Sequence, residues 1–125
     1  MTPRADILSV IYKSIEAKAP FDKDVFAEFY TGWDVLPVYD DAELVGGVLQ
    51  KGNELHVGFA RQSRRSIRRY IREYMGAVLT QYGCVLTSVE PGNTVGLRFC
   101  ERLGFVKYDE INGVSLLKCS RSEYL

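Results

Sequence analysis

Between Arg61 and Phe105 the sequence changes its hydrophobic period twice, and this stretch limits the rest of the chain more than any other. Ile67, Tyr70, Ile71, Tyr74, Met75, Val78, Leu79 and Tyr82 recur at i, i+3, i+4 and i+7, the spacing of a helix that buries one stripe. Cys84 to Glu90 then runs β-branched and extended until Pro91-Gly92-Asn93 breaks it. A second helix follows, capped by Asn93 or Thr94, with Gly96, Phe99, Cys100 and Leu103 on one face and Gly104 at its left-handed end. A helix between two strands demands a crossover, so the strands flanking the first helix are parallel if they are neighbours.

The remainder frames this unit. Leu8, Ile11, Tyr12 and Ile15 predict an amphipathic helix over Ala5–Ala19, stopped by Pro20. Asp22 or Asp24 caps a shorter helix carrying Val25, Phe26, Phe29 and Tyr30, ended by Gly32. Val35–Tyr39 reads as a strand that Pro37 confines to an edge or a bulge. Glu43–Gln50 and Glu54–Ala60 form a hairpin through Lys51-Gly52-Asn53, and Gly46-Gly47 marks a bulge, a bend or the close approach of another backbone. Val106–Glu110 and Val114–Cys119 close the chain as a hairpin about Asn112-Gly113. The order is α-α-β-β-β-α-β-α-β-β. It predicts an α/β (α+β) fold with a mixed, largely antiparallel sheet, a central parallel pair and helices on both faces.

With 125 residues, 46% apolar and 26% charged, the chain has the composition of one globular domain spanning 1–125. No run reaches the roughly 18 apolar residues of a membrane span, and the first residues do not form a signal peptide, so the expected location is cytoplasmic. Cys84, Cys100 and Cys119 lack paired spacing, which argues for reduced thiols and against a disulfide or a metal site. Net charge is zero, but six of the sixteen basic residues fall at Arg61, Arg64, Arg65, Arg68, Arg69 and Arg72. Cations at a helix start oppose the macrodipole, so the cluster is either a solvated face paired with acids such as Glu73, or a receptor for coenzyme A or another small phosphate, or a nucleic-acid contact. Zero net charge and the lack of an aromatic-interleaved strand face weigh against nucleic acid.

The run from Asn93 to Phe105 resembles the GCN5-related N-acetyltransferase superfamily, as does the element order. Asn93, Gly96, Phe99, Glu101, Arg102, Leu103, Gly104 and Phe105 match the family pattern. The resemblance implies acetyl-CoA as cofactor, lying between the splayed strands Glu54–Ala60 and Cys84–Glu90, and transfer of the acetyl group to a small amine or a protein. It implies cofactor contacts at Val57, Phe59, Arg61, Arg64, Arg65, Ser66 and Asn93, and a base at His56, the only histidine, or at Glu54 two residues before it. Each has a plain alternative: a strand residue with no chemistry for His56 and Glu54, and a helix cap for Asn93. Two departures bear on activity. Cys100 replaces the tyrosine that reprotonates the departing thiolate, and is either a substitute proton donor or core packing. Arg64 and Ser66 stand where the family places the glycines of its pyrophosphate loop.

A second resemblance, to the small acetyltransferase-like internal virion protein of short-tailed bacteriophages, rests on the basic, glycine-poor run Arg64–Arg72 and on Gly92-Asn93-Thr94. It implies a non-catalytic protein acting through protein contacts in virion assembly or host interference. An apolar edge at the last strand is either solvent-protected or a homodimer seam.

Overall fold

The computed structural model describes residues 2–17, 19–59 and 65–120, and of residues 65–67 the backbone only. Its elements follow the expected order: α1 (Arg4–Lys13), α2 (Lys23–Phe29), β1 (Asp34–Asp40), β2 (Glu43–Lys51), β3 (Glu54–Phe59), α3 (Arg65–Tyr82), β4 (Cys84–Val89), α4 (Thr94–Arg102), β5 (Val106–Ile111) and β6 (Val114–Ser120). The strands form one mixed sheet in the order β1-β2-β3-β4-β6-β5. β3 and β4 run parallel, while β1–β2, β4–β6 and β5–β6 are antiparallel. The chain groups into two compact units, Met1–Gly52 with His56–Ile67, and Asn53–Leu55 with Arg68–Leu125.

In the first unit, α1 ends earlier than Pro20 would require. The Ser14 hydroxyl donates to the Ile11 carbonyl at 2.5 Å while the N–H groups of Ser14 and Ile15 reach only three residues back, which tightens the chain into turns. Asp22, not Asp24, caps α2 by accepting the Val25 N–H at 3.0 Å. Ile7, Leu8 and Ile11 of α1 join Phe26 and Leu49 in a buried cluster bordered by Tyr12, Tyr30, Trp33 and Val35. β1 is an edge strand, as Pro37 requires. Its partner β2 carries the bulge: Val38 opposes Gly46 and Tyr39 opposes Leu44, leaving Val45 as the extra residue. The glycine pair beside it answers to close approach. A Cβ on Gly46 would strike the Gly58 carbonyl and come within 2.6 Å of Phe59 Cδ1, and one on Gly47 would meet Ile11 Cδ1 at 2.8 Å.

The second unit is built on α3 and β4. Ile71, Met75, Val78 and Leu79 are buried as the periodicity predicts, but Tyr70 and Tyr82 are 43% and 45% exposed, so the buried stripe is narrower than the sequence pattern. Tyrosine at a stripe margin keeps its ring against the protein and its hydroxyl in water. Gly83, at φ +83°, ends α3 by donating to the Leu79 carbonyl at 2.8 Å. β4 alternates, with Val85, Thr87 and Val89 buried. α4 closes in a Schellman motif: Phe105 N–H bonds the Cys100 carbonyl, Gly104 N–H bonds the Glu101 carbonyl, and Gly104 sits at φ +103°. The β5–β6 turn is the predicted one, since Asn112 and Gly113 both have positive φ.

Candidate functional site

β3 carries the first group of candidate residues. At its start Asn53 fixes the parallel pairing: the Leu86 N–H donates to the Asn53 carbonyl at 2.9 Å, the Asn53 Nδ2 donates to the Cys84 carbonyl at 3.3 Å, and Glu54 stands opposite Leu86. Glu54 therefore belongs to the second unit, and His56, Val57 and Phe59 to the first. Gly58 separates the last two because α1 lies against it; a Cβ there would meet Ile11 Cγ2 at 2.7 Å and Ser14 Oγ at 3.0 Å. The His56 ring packs on Trp33, with centroids 5.6 Å apart. Trp33 in turn meets Tyr30 edge-on at 5.2 Å, and Tyr30 meets Phe26 at 5.0 Å. The Arg4 guanidinium holds the turn between these rings by donating to the carbonyls of Tyr30 and Trp33, each at 2.7 Å.

The anion-binding candidates follow β3. α3 has no acidic residue in its first turn, and its opening sequence holds Arg65, Arg68, Arg69 and Arg72. Arg72 donates to the Arg102 carbonyl at the end of α4. Ser66 lies in the first turn of the helix. Arg61 and Arg64 lie outside the described residues, as do the side chains of Arg65 and Ser66.

The third group is on α4. Asn93 is its cap: Oδ1 accepts the Gly96 N–H at 3.0 Å. The small residue at 96 is explained locally, because a Cβ on Gly96 would press to 2.5 Å from Asn93 Nδ2. Asn93 also lines a shallow cavity of about 270 Å³ with Glu90, Lys107, Glu110 and Ser115. Cys100 is half-buried, and burial, followed by the neighbouring Glu101 charge, pushes its thiol from 9.0 up to about 11. It stays protonated at neutral pH. Cys84 and Cys119 are likewise thiols. Among the described residues no three His, Cys, Asp or Glu side chains are grouped to hold a metal, and no helix is long and apolar enough to cross a membrane.

No protein-family model matches the sequence, and comparison with curated proteins gives no match. The backbone gives many. A variant of the spermidine N-acetyltransferase SpeG of Vibrio cholerae superposes over 99% of this chain and 95% of its own, with a TM-score of 0.72 at 19% identity. YncA of Salmonella typhimurium, solved with its cofactor acetyl-CoA, superposes over 95% and 90% with a TM-score of 0.69 at 15% identity. The ribosomal-protein-S18-alanine N-acetyltransferase of Escherichia coli does so over 96% and 91%, with a TM-score of 0.67 at 11% identity. The chain has the GCN5-related N-acetyltransferase fold.

Within this acetyltransferase fold, the structure places His56, Val57 and Phe59 on one strand, Cys100 on α4 and Asn93 at the cap of that helix. Sequence reasoning missed Trp33, the ring against which His56 is set. The signal available was its being the only tryptophan, just after the short aromatic helix. It also missed Asn53, whose place in a turn concealed its role in joining β3 to β4.

Proposed function

We propose that this chain binds acetyl-CoA and transfers the acetyl group to a primary amine, acting as a single domain over residues 1–125. The observation that carries the reading is a basic, acid-free start to α3 directly after β3, in a fold shared along nearly its whole length with N-acetyltransferases. The donor set suits the cofactor. A pyrophosphate needs positive charge and N–H donors, and the arginines from Arg61 to Arg72 with the first turn of α3 offer both. Here the family's glycine loop is degenerate, so guanidinium side chains supply the contact that backbone supplies elsewhere.

Acetyl-CoA, when bound, supplies the activated acetyl group. Backbone N–H groups of Val57 to Phe59 orient its carbonyl and stabilise negative charge on that oxygen. His56, held by Trp33, or Glu54 takes the proton that the amine gives up on attack. Asn93 donates through Nδ2 while its Oδ1 caps α4. Cys100 is the proton source for the leaving sulfur, where the family uses tyrosine. Titration calorimetry with acetyl-CoA and with CoA tests the reading: heat that saturates supports it, and none at millimolar cofactor overturns it.

A second reading keeps the fold and removes the chemistry. It is favoured by the Cys100 thiol, which burial makes a weaker acid than a free thiol, and by Arg64 in a glycine position. The chain then serves as a protein-binding module in a bacteriophage, in the host cytoplasm or in the virion. Acetylation of an amine panel, lost in a folded His56→Ala variant, excludes this reading.

A further inference from the structure

β5 ends the sheet, and every residue of it is exposed. An edge of this kind presents backbone donors and acceptors to whatever can add a strand. Its sequence, Val106-Lys107-Tyr108-Asp109-Glu110-Ile111, reads as its own complement when reversed: apolar meets apolar at 106 and 111, and base meets acid at 107 and 110. In a regular strand this symmetry is useless. Positions three or five apart point to opposite faces, whereas residues opposed across an antiparallel seam share a face.

The structure removes that obstacle with one residue. Lys107 opposes Leu117 and Asp109 opposes Leu116, so Tyr108 is an extra residue in β5. The bulge moves Lys107 and Glu110 to one face, beside Leu117 and Ser115, and Val106 and Ile111 to the other, beside Lys118 and Val114. The face shared by Lys107 and Glu110 is visible directly, since Lys107 Nζ lies 2.5 Å from Glu110 Oε1.

We propose that β5 is a homodimer seam. Two copies pair antiparallel about a two-fold axis near Tyr108 and Asp109, with Lys107 opposite Glu110 of the second copy on one face and Val106 opposite Ile111 of the second copy on the other. The isolated strand's bonds are exchanged in the process. The Glu110 N–H, which the Asp109 carboxylate accepts at 2.7 Å, passes to the Lys107 carbonyl of the second copy, and each Lys107 changes one Glu110 for the other. A single-strand seam is small and brings two Asp109 carboxylates toward the axis, so the dimer dissociates on dilution. A second copy is the occupant because it presents the matching charges and the matching bulge in one strand.

Sedimentation velocity of the full chain across a concentration series, with Lys107→Glu and the swap Lys107→Glu/Glu110→Lys, tests the seam. The expected result is a concentration-dependent dimer, weakened about tenfold or more by Lys107→Glu, which opposes like charges twice, and regained by the swap. Circular dichroism establishes that each variant is folded. A chain that stays monomeric at several hundred micromolar overturns the proposal, as does a dimer indifferent to Lys107→Glu.

Discussion

Cys100 carries the one large titration shift described, and its sign fixes a measurement. Its thiol is raised from 9.0 to about 11, so the folded state holds the proton more tightly than the unfolded chain. The stability this contributes is complete below pH 9 and is lost as pH rises toward 11. A Cys100→Ala variant therefore shows a smaller loss of denaturant stability than the parent between pH 9 and 11, read as the difference between the two chains so that tyrosine titration cancels. Asn93 allows its two roles to be separated at a single position. Asn93→Ala removes the Gly96 N–H bond and costs about 1 kcal/mol, whereas Asn93→Asp keeps the cap and removes the Nδ2 donor. Urea melts of both variants check the cap. Weaker acetyl-CoA binding by the fully stable Asn93→Asp variant then reads the cofactor contact.

At the scale of elements, Gly46 and Gly58 set how closely β2 and β3 lie. Gly46→Ala places a methyl group on the Gly58 carbonyl and costs about 3 kcal/mol, visible as a lower urea midpoint. Gly52→Ala meets no atom within 4 Å and loses only the ease of its positive φ, about 1 kcal/mol. These elements also show what the sequence conveys. Periodicity and punctuation located all ten, because Asp22, Asn93, Gly104 and Asn112-Gly113 act through their nearest neighbours, and local chemistry is written locally. The end of α1 was misplaced by six residues because Ser14, which tightens the chain there, looks like any polar helix residue. The bulge at Val45 sits beside the Gly46-Gly47 pair that marked it, whereas the one at Tyr108 carries no glycine or proline and shows only in the register of β5 against β6. The candidate site was legible only as a set of positions: Asn93 showed itself as a cap, but the contact of His56 with Trp33 spans 23 positions of sequence and needed the fold.

For the whole molecule, charge distribution matters more than charge total. Sixteen bases and sixteen acids cancel, yet six bases fall within twelve residues. If guanidinium groups rather than backbone hold the cofactor phosphates, acetyl-CoA affinity falls steeply with added salt, and Arg68→Ala/Arg69→Ala flattens that slope. Calorimetry at low and high salt measures both; an affinity indifferent to salt assigns the contact to backbone. The glycines of β2 and β3 bear on a different matter, that of kinship. Sequence comparison weighs the side chains present, and identity to the superposed acetyltransferases is only 11 to 20%. Gly46 and Gly58 are held by the absence of a side chain, one strand's bareness making room for the other. A chain that keeps this approach of β2 to β3 meets the same backbone carbonyl at the place of Gly46, so a bare residue there outlasts the drift of the side chains around it.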